Sequence, residues 1–124
     1  MSGNVLEGYR CFTFTRRGRV LTARIDRAAR RNAVDEALHH EFARLFRDLA
    51  EDPGSDVIVL TGADRWFCAG GDMDWFQSLI DDPARWRAEV LPAAKQIISG
   101  LLELEKPVVC GLNGAAAGLA PRSR

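Results

Sequence analysis

The sequence predicts an α/β fold in which strands and helices alternate around a parallel sheet. Two short apolar runs, at 57–60 and 108–110, predict buried strands, and each is followed by glycine-rich sequence. A long helical segment lies between them, which is the arrangement of a βαβ unit. Because both turns would open at the carboxyl ends of neighbouring parallel strands, we expect a ligand site there.

Length and composition narrow the class of protein. The 124 residues suffice for one domain, and 47% hydrophobic with 27% charged residues is typical of a globular chain. The formal net charge is zero, so we expect no net electrostatic attraction to nucleic acid or to an anionic membrane. The three cysteines, at 11, 68 and 110, are too widely spaced to predict a disulfide framework or a metal site. Because we expect neither a signal peptide nor an apolar run long enough to span a membrane, we expect a cytoplasmic location.

The first third of the chain predicts a loose start, a hairpin and a loop. Residues 1–9 show no periodicity, whereas 11–15 and 20–25 are strand-like. Between these strands the arginine-rich residues 16–19 predict a solvated hairpin turn. The polar residues 26–33 predict a loop, whose arginines either meet phosphate groups or simply face solvent.

Three helices are predicted from apolar periodicity and from helix-capping residues. The first begins at Asp35 and runs to about Ala50, and its apolar face consists of Leu38, Phe42, Leu45, Phe46 and Leu49. His39 and His40 are adjacent and point about 100° apart, so solvated or packed histidines are favoured over a metal site. The second helix spans 72–80. The third spans 84–105 and should be kinked or divided at Pro92.

The central turn is the sequence W-F-C-A-G-G-D-M at 66–73. Adjacent glycines, Gly70 and Gly71, give the backbone freedom and leave no side chain to block a ligand, while Asp72 can cap the following helix. The turn could therefore aim N–H groups at an electron-rich oxygen. Alternatively, it needs glycine only for its dihedral angles. The nearby aromatic residues, Trp75, Phe76 and Trp86, either line a ligand cleft or belong to the core.

Four blocks of sequence together resemble the enoyl-CoA hydratase/isomerase (crotonase) family. They are R-R-N-A at 30–33, V-I-V-L-T-G-A at 57–63, F-C-A-G-G-D at 67–72, and K-P-V-V followed by N-G-A-A-A-G within 106–118. The resemblance covers roughly residues 10–120, about the first half of a family domain. It implies a crotonase-like (ClpP/crotonase) α/β fold of ββα units, truncated before its C-terminal half. We therefore expect 1–124 to be one incomplete acyl-CoA-binding domain.

The resemblance also implies a chemistry and a set of site residues. Family members bind acyl-CoA thioesters and stabilise an enolate-like anion with two backbone N–H groups, which here correspond to Gly71 and Leu119. Expected contacts to the coenzyme A portion are Arg31, Ala33, Ala69, Asp72 and Met73. Coenzyme A would enter as part of the substrate, with no separate cofactor and no metal. Relatives form homotrimers or dimers of trimers, and we expect no nucleic-acid or membrane partner.

The end of the sequence departs from the family pattern. In hydratases of the family a catalytic glutamate lies three residues after the second oxyanion position, where this chain has Arg122. A second glutamate would fall about twenty residues further on, and 121–124 form an atypical tail. An inactive truncated fragment is therefore the alternative. A dinucleotide-binding module is disfavoured because the glycines at 111–118 do not follow the G-x-G-x-x-G spacing.

Overall fold

The computed structural model of the chain describes residues 4–63 and 65–116, with the backbone alone for 115–116. In chain order the elements are β1 (Phe12–Arg17), β2 (Val20–Ile25), α1 (Glu36–Glu51), β3 (Val57–Gly62), β4 (Trp66–Cys68), α2 (Met73–Ile80), α3 (Pro83–Arg85), a π-helical turn (Trp86–Val90), α4 (Leu91–Glu103), β5 (Val108–Gly111) and β6 (Ala115–Ala116). A 3-10 turn at Ala28–Arg30 interrupts the loop before α1.

A four-stranded mixed sheet forms the body of the fold. Its strand order is β1-β2-β3-β5, with β1 and β2 antiparallel and the other neighbours parallel. A smaller sheet pairs β4 with β6 in parallel. The predicted α/β class with a parallel β3-helix-β5 unit is confirmed. The three-residue strand β4 corrects the sequence interpretation, in which 66–68 belong to the turn.

Helix α1 covers the sheet through the predicted apolar face. Asp35 caps the helix, its carboxylate accepting a hydrogen bond from the Leu38 N–H at 3.0 Å. Leu38, Leu45 and Leu49 are fully buried, and Phe42 is partly buried against the same core. His39 is buried with its ring centroid 5.1 Å from that of Trp75, and burial lowers the pKa of its imidazole. The helix and the packed histidine are confirmed.

Pro92 divides the third helix as expected. It stands in the first turn of α4, directly after the π-helical turn Trp86–Val90. The Leu91 N–H donates to the Trp86 carbonyl, five residues back, instead of to the residue four back. Because proline has no N–H to continue the α-helical ladder, the wider turn accommodates the break without ending the helical path.

The hairpin is confirmed, but its arginines are more ordered than predicted. Arg16 lies within β1 and donates two hydrogen bonds to the Asp52 carboxylate, at 2.7 and 2.8 Å. Arg19 makes a similar bidentate pair with Asp56. These ion pairs join the hairpin to the connection between α1 and β3, a link that the sequence did not reveal.

Lys106 fixes the start of β5 to the end of α1. Its ammonium donates to the carbonyls of Leu49 and Asp52, both at 2.7 Å, and to the Ser55 hydroxyl at 3.1 Å. Carbonyls in the last turn of a helix lack intrahelical partners, so a cation is favourable there. The lysine thereby sets where β5 begins relative to β3.

The first described residues pack against the body of the fold. Leu6 is buried, and the Tyr9 hydroxyl donates to Asp48 at 2.6 Å while its ring packs edge-on against Phe12. The buried Glu41 carboxylate accepts the N–H groups of Arg10 and Cys11, both at 2.9 Å. From residue 4 onward, the expected loose start is thus an ordered segment clamped to α1.

Apolar side chains remain exposed on β5 and on α4. Val109 is 54% exposed and Leu102 is 79% exposed, and Ile98 and Leu101 lie on the same helix. Among the described residues, β5 has a strand neighbour on one side only. No described helix has the length and hydropathy needed to cross a membrane.

Candidate oxyanion and acyl-CoA site

The central turn connects β4 to α2 through Ala69, Gly70 and Gly71. Gly70 adopts a φ of 93°, which side chains with a Cβ disfavour. Asp72 caps α2, because its carboxylate accepts the Trp75 N–H at 3.0 Å. The turn therefore needs its glycine at position 70 for conformation, which supports one of the two sequence interpretations without excluding the other.

A bridge to Val34 fixes the orientation of the turn. The Val34 N–H donates to the Gly70 carbonyl at 2.6 Å, and the Asp72 N–H donates to the Val34 carbonyl at 2.8 Å. In this parallel bridge the N–H of Gly71 points away from Val34. Across the described residues, no acceptor receives a hydrogen bond from the Gly71 N–H. The orientation of this N–H is thus set by the hydrogen bonds of its neighbours.

The ring of Phe76 covers one side of Gly71. A Cβ built at position 71 would lie 2.9 Å from Phe76 Cε1 and closer to Cζ, so any side chain there would displace the ring. Phe76 is itself 42% exposed, whereas the neighbouring Trp75 is buried. Of the aromatic residues near the turn, Trp75 therefore belongs to the core and Phe76 borders the candidate site.

The loop before α1 lies against the turn and brings the expected coenzyme A contacts together. The Ala69 N–H donates to the Arg31 carbonyl at 3.1 Å. An open hollow of about 340 Å³ lies between the loop and the turn. Its lining includes six of the seven predicted site residues, which are Arg31, Ala33, Ala69, Gly71, Asp72 and Met73. The seventh, Leu119, lies outside the described residues.

Charges of both signs surround this hollow. Arg30, Arg31, Asp72 and Asp74 line it. The Arg31 guanidinium lies 5.6 Å from the centroid of the Trp66 ring, a cation–π distance. Arg30 is within 3.7 Å of Asp35, which also pairs with Arg27. Arg30 is therefore close to a carboxylate, whereas Arg31 packs on an aromatic ring.

Part of the second glycine-rich sequence forms β6, the strand next to β4. In the small sheet Trp66 pairs with Ala115 and Cys68 pairs with Ala116. Gly71 follows Cys68 by three residues (71 − 68), and Leu119 follows Ala116 by three (119 − 116). Leu119 and Arg122 themselves lie beyond the residues that the structure describes.

The Cys68 thiol is buried behind the turn and is not poised for reaction. Burial raises its pKa, and a hydrogen bond from the Gly70 backbone only partly opposes this effect. A neutral thiol is a weak nucleophile. Over residues 4–63 and 65–116 there is also no group of three or more His, Cys, Asp or Glu side chains placed to hold a metal ion.

Sequence reasoning assigned no role to two asparagines beside the turn. Asn32 is fully buried and donates to the Trp66 carbonyl at 2.7 Å. Asn113 donates to the same oxygen at 3.3 Å. Both belong to sequence blocks that carry the family resemblance, but no spacing rule indicates that they meet at one atom.

Comparison with known proteins gives the same family from sequence and from structure. The enoyl-CoA hydratase/isomerase family model matches residues 15–119. The chain is 34% identical over 105 residues to carnitinyl-CoA dehydratase of Proteus mirabilis, covering 84% of this chain and 38% of the relative. It is 30% identical over 103 residues to 1,2-epoxyphenylacetyl-CoA isomerase of Escherichia coli K12, covering 80% and 38%.

Solved structures of enoyl-CoA hydratases and isomerases superpose on this chain. An enoyl-CoA hydratase/isomerase from Mycobacterium paratuberculosis superposes with a TM-score of 0.78 at 33% identity, over 84% of this chain and 41% of that one. An enoyl-CoA hydratase from Shewanella pealeana reaches a TM-score of 0.82 at 21% identity, over 92% and 43%, which bears on the fold alone. The chain thus spans about two fifths of the length of these relatives and has the crotonase-type α/β fold over that part. It belongs to the enoyl-CoA hydratase/isomerase family.

Proposed function

We propose that this chain binds acyl-CoA thioesters and holds the thioester oxygen with the backbone N–H groups of Gly71 and Leu119. The observation that carries the proposal is that Gly71 lines an open hollow while its N–H has no acceptor among the described residues. Its orientation is set by the bridge between Val34 and the backbone on either side of Gly71. The parallel β4–β6 pairing supports the second donor, since Gly71 and Leu119 each follow a strand of this pair by three residues in the sequence.

The physical advantage of such a pair is greatest when charge develops on the oxygen. An enolate formed from the thioester carries its negative charge there, so fixed donors favour it over the neutral ground state. Removing one donor of this kind costs about 3 kcal/mol in the reaction barrier. Backbone donors also allow leucine at 119, because the side chain takes no part.

The hollow beside Gly71 is the proposed location of the coenzyme A portion. Arg31 would pair with a phosphate, while Ala33 and Ala69 leave space for the ligand to approach the backbone. Asp72 and Met73 complete the wall at the start of α2. Coenzyme A is here part of the substrate, and the proposal requires no separate cofactor.

The second candidate function is binding without turnover. It is favoured by Arg122, which stands where the resemblance implies a catalytic glutamate. The two candidates share the same thioester site and differ only in whether a carboxylate can move a proton. A chain that binds an enoyl-CoA but leaves its conjugated thioester absorbance unchanged would be a binding protein.

The test compares Gly71→Ala with Gly71→Pro, both in a Phe76→Ala background that makes room for the added atoms. Both changes add bulk, but only proline removes the N–H. Titration calorimetry with butyryl-CoA and with free CoA measures the contribution of the thioester. Loss of one of the two hydrogen bonds predicts that the preference for butyryl-CoA over free CoA is about fivefold smaller in the proline variant than in the alanine variant.

Equal preference in the two variants would refute the role of the Gly71 N–H. Failure of the unsubstituted chain to bind either compound would refute the proposed function as a whole. Circular dichroism of each variant provides the control for folding.

A further inference from the structure

The carbonyl oxygen of Trp66 accepts hydrogen bonds from two asparagine side chains that come from different parts of the chain. Asn32 Nδ2 lies 2.7 Å from this oxygen and Asn113 Nδ2 lies 3.3 Å from it. Trp66 begins β4, the strand that leads into the Gly71 turn. One backbone atom therefore joins three segments, namely the loop before α1, the strand β4 and the turn after β5.

Asn32 uses both ends of its amide. Its Oδ1 accepts the Arg27 N–H at 2.8 Å, and its Nδ2 also reaches the Ala63 carbonyl at 3.3 Å. The residue is completely buried and has a left-handed φ of 56°, which asparagine tolerates better than most residues. An aspartate would keep the acceptor and lose the donor, placing a carboxylate oxygen against two carbonyls.

The side-chain amide of Asn113 is likewise hydrogen-bonded through both its oxygen and its nitrogen. Its Oδ1 accepts the Gly62 N–H at 3.1 Å and lies 3.4 Å from the Thr61 hydroxyl. The backbone there is tightly packed, because a Cβ at Gly62 would lie 2.7 Å from the Phe67 carbonyl oxygen. Asn113 thus connects the turn after β5 to the end of β3 and to the start of β4.

We propose that Asn32 and Asn113 are positioning residues that hold the Gly71 turn and the second glycine-rich turn, described as far as Ala116, at a fixed separation. The inference rests on the proposed function of those turns. Asn32 fixes the loop that supplies Arg31 and, through Val34, the bridge to the Gly71 turn. Asn113 fixes the sequence that leads into β6 and onward to Leu119. Both act through the Trp66 carbonyl, so loss of either donor should affect both turns.

The test uses Asn32→Asp and Asn113→Asp, with Asn4→Asp as the matched control. Each change is nearly isosteric, replaces the amide donor by a carboxylate oxygen and adds one negative charge, which the control variant shares. At the control position the side-chain interaction found among the described residues is the acceptor bond from the Leu6 N–H, at 2.9 Å, which aspartate retains. Amide hydrogen exchange of the unliganded chain should accelerate by about tenfold for residues 66–72 and 115–116 in both test variants, and not in the control.

A second measurement separates positioning from general destabilisation. Affinity for butyryl-CoA should fall by about fivefold in Asn113→Asp, while affinity for free CoA changes by less than twofold. In Asn32→Asp both affinities should fall, because Asn32 also fixes the loop that supplies Arg31. Acidification should protonate the introduced carboxyl and restore a donor, so exchange in the test variants should return toward the unsubstituted rate at the same pH.

Unchanged exchange at 66–72 and 115–116, or an equal loss of affinity for both compounds in Asn113→Asp, would overturn the inference. If the unsubstituted chain binds no acyl-CoA, the proposed function fails, whereas the exchange comparison still decides whether the two asparagines hold the turns together.

Discussion

Replacing Gly114 by alanine perturbs the contact between the second glycine-rich turn and the backbone before β4. A Cβ at position 114 would lie 2.7 Å from the carbonyl carbon of Arg65 and closer still to its oxygen. Both atoms belong to the backbone, so no side chain can rotate away. Non-bonded carbon atoms need about 3.5 Å, so the two segments must separate by roughly 1 Å.

The free-energy cost of this separation can be estimated. Overpacking of this kind costs about 1–3 kcal/mol. The hydrogen bond from Asn113 to Trp66, already 3.3 Å long, would also be lost, at a cost of about 1 kcal/mol. We therefore expect Gly114→Ala to lower the free energy of unfolding by about 3 kcal/mol. It should also remove butyryl-CoA binding, because β6 would no longer pair with β4.

Gly111→Ala is the matched control. A Cβ there would lie 3.5 Å from the Thr61 hydroxyl oxygen, an ordinary contact, and the residue has no positive φ. Its effect should stay within about 1 kcal/mol, because alanine also reduces the entropy of the unfolded chain. Urea unfolding followed by circular dichroism measures both variants. Equal losses of stability at positions 111 and 114 would refute the packing argument.

Two further predictions concern the carboxylates that fix the frame of the fold. Hydrogen bonds from Arg16 hold the pKa of Asp52 at about 2, below its usual 3.8. The pair should therefore contribute up to about 2 kcal/mol above pH 4, lost as the pH falls toward 2, and acid unfolding of Asp52→Asn should show a correspondingly shallower pH dependence. Glu41→Gln can accept only one of the N–H groups of Arg10 and Cys11. It should lower the urea midpoint by an amount equivalent to about 1–3 kcal/mol, and an unchanged midpoint would contradict the clamp on the N-terminal segment.

The helices could be predicted because their signals are local. Asp35 and Asp72 each stand directly before the helix that they cap, and the apolar residues of α1 recur with the helical period. Pro92 likewise acts on its own turn of backbone. In these cases the residues that determine the structure are within a few positions of it.

The missed features depend on partners that are distant in sequence. Trp66–Cys68 is a strand only because it pairs with Ala115–Ala116, and no periodicity can be detected in three residues. Arg16 is ordered by Asp52, which lies 36 residues away. The meeting of Asn32 and Asn113 at the Trp66 carbonyl depends on the relative placement of three segments, which only the folded chain defines.

The candidate site shows the same difference between features with a local sequence signal and features that depend on distant partners. The family resemblance supplied its residues, and the structure brings six of them to one hollow. The availability of the Gly71 N–H could not have been predicted, because it depends on the bridge with Val34 across the turn.

The central claim is that the N–H groups of Gly71 and Leu119 converge on one thioester oxygen. The most direct measurement is an NMR titration of the ¹⁵N-labelled chain with butyryl-CoA and, separately, with free CoA. We expect both amide protons to shift downfield with the same dissociation constant on addition of butyryl-CoA, and neither to show this shift with free CoA. A bound complex in which either amide stays at its original position would contradict the account.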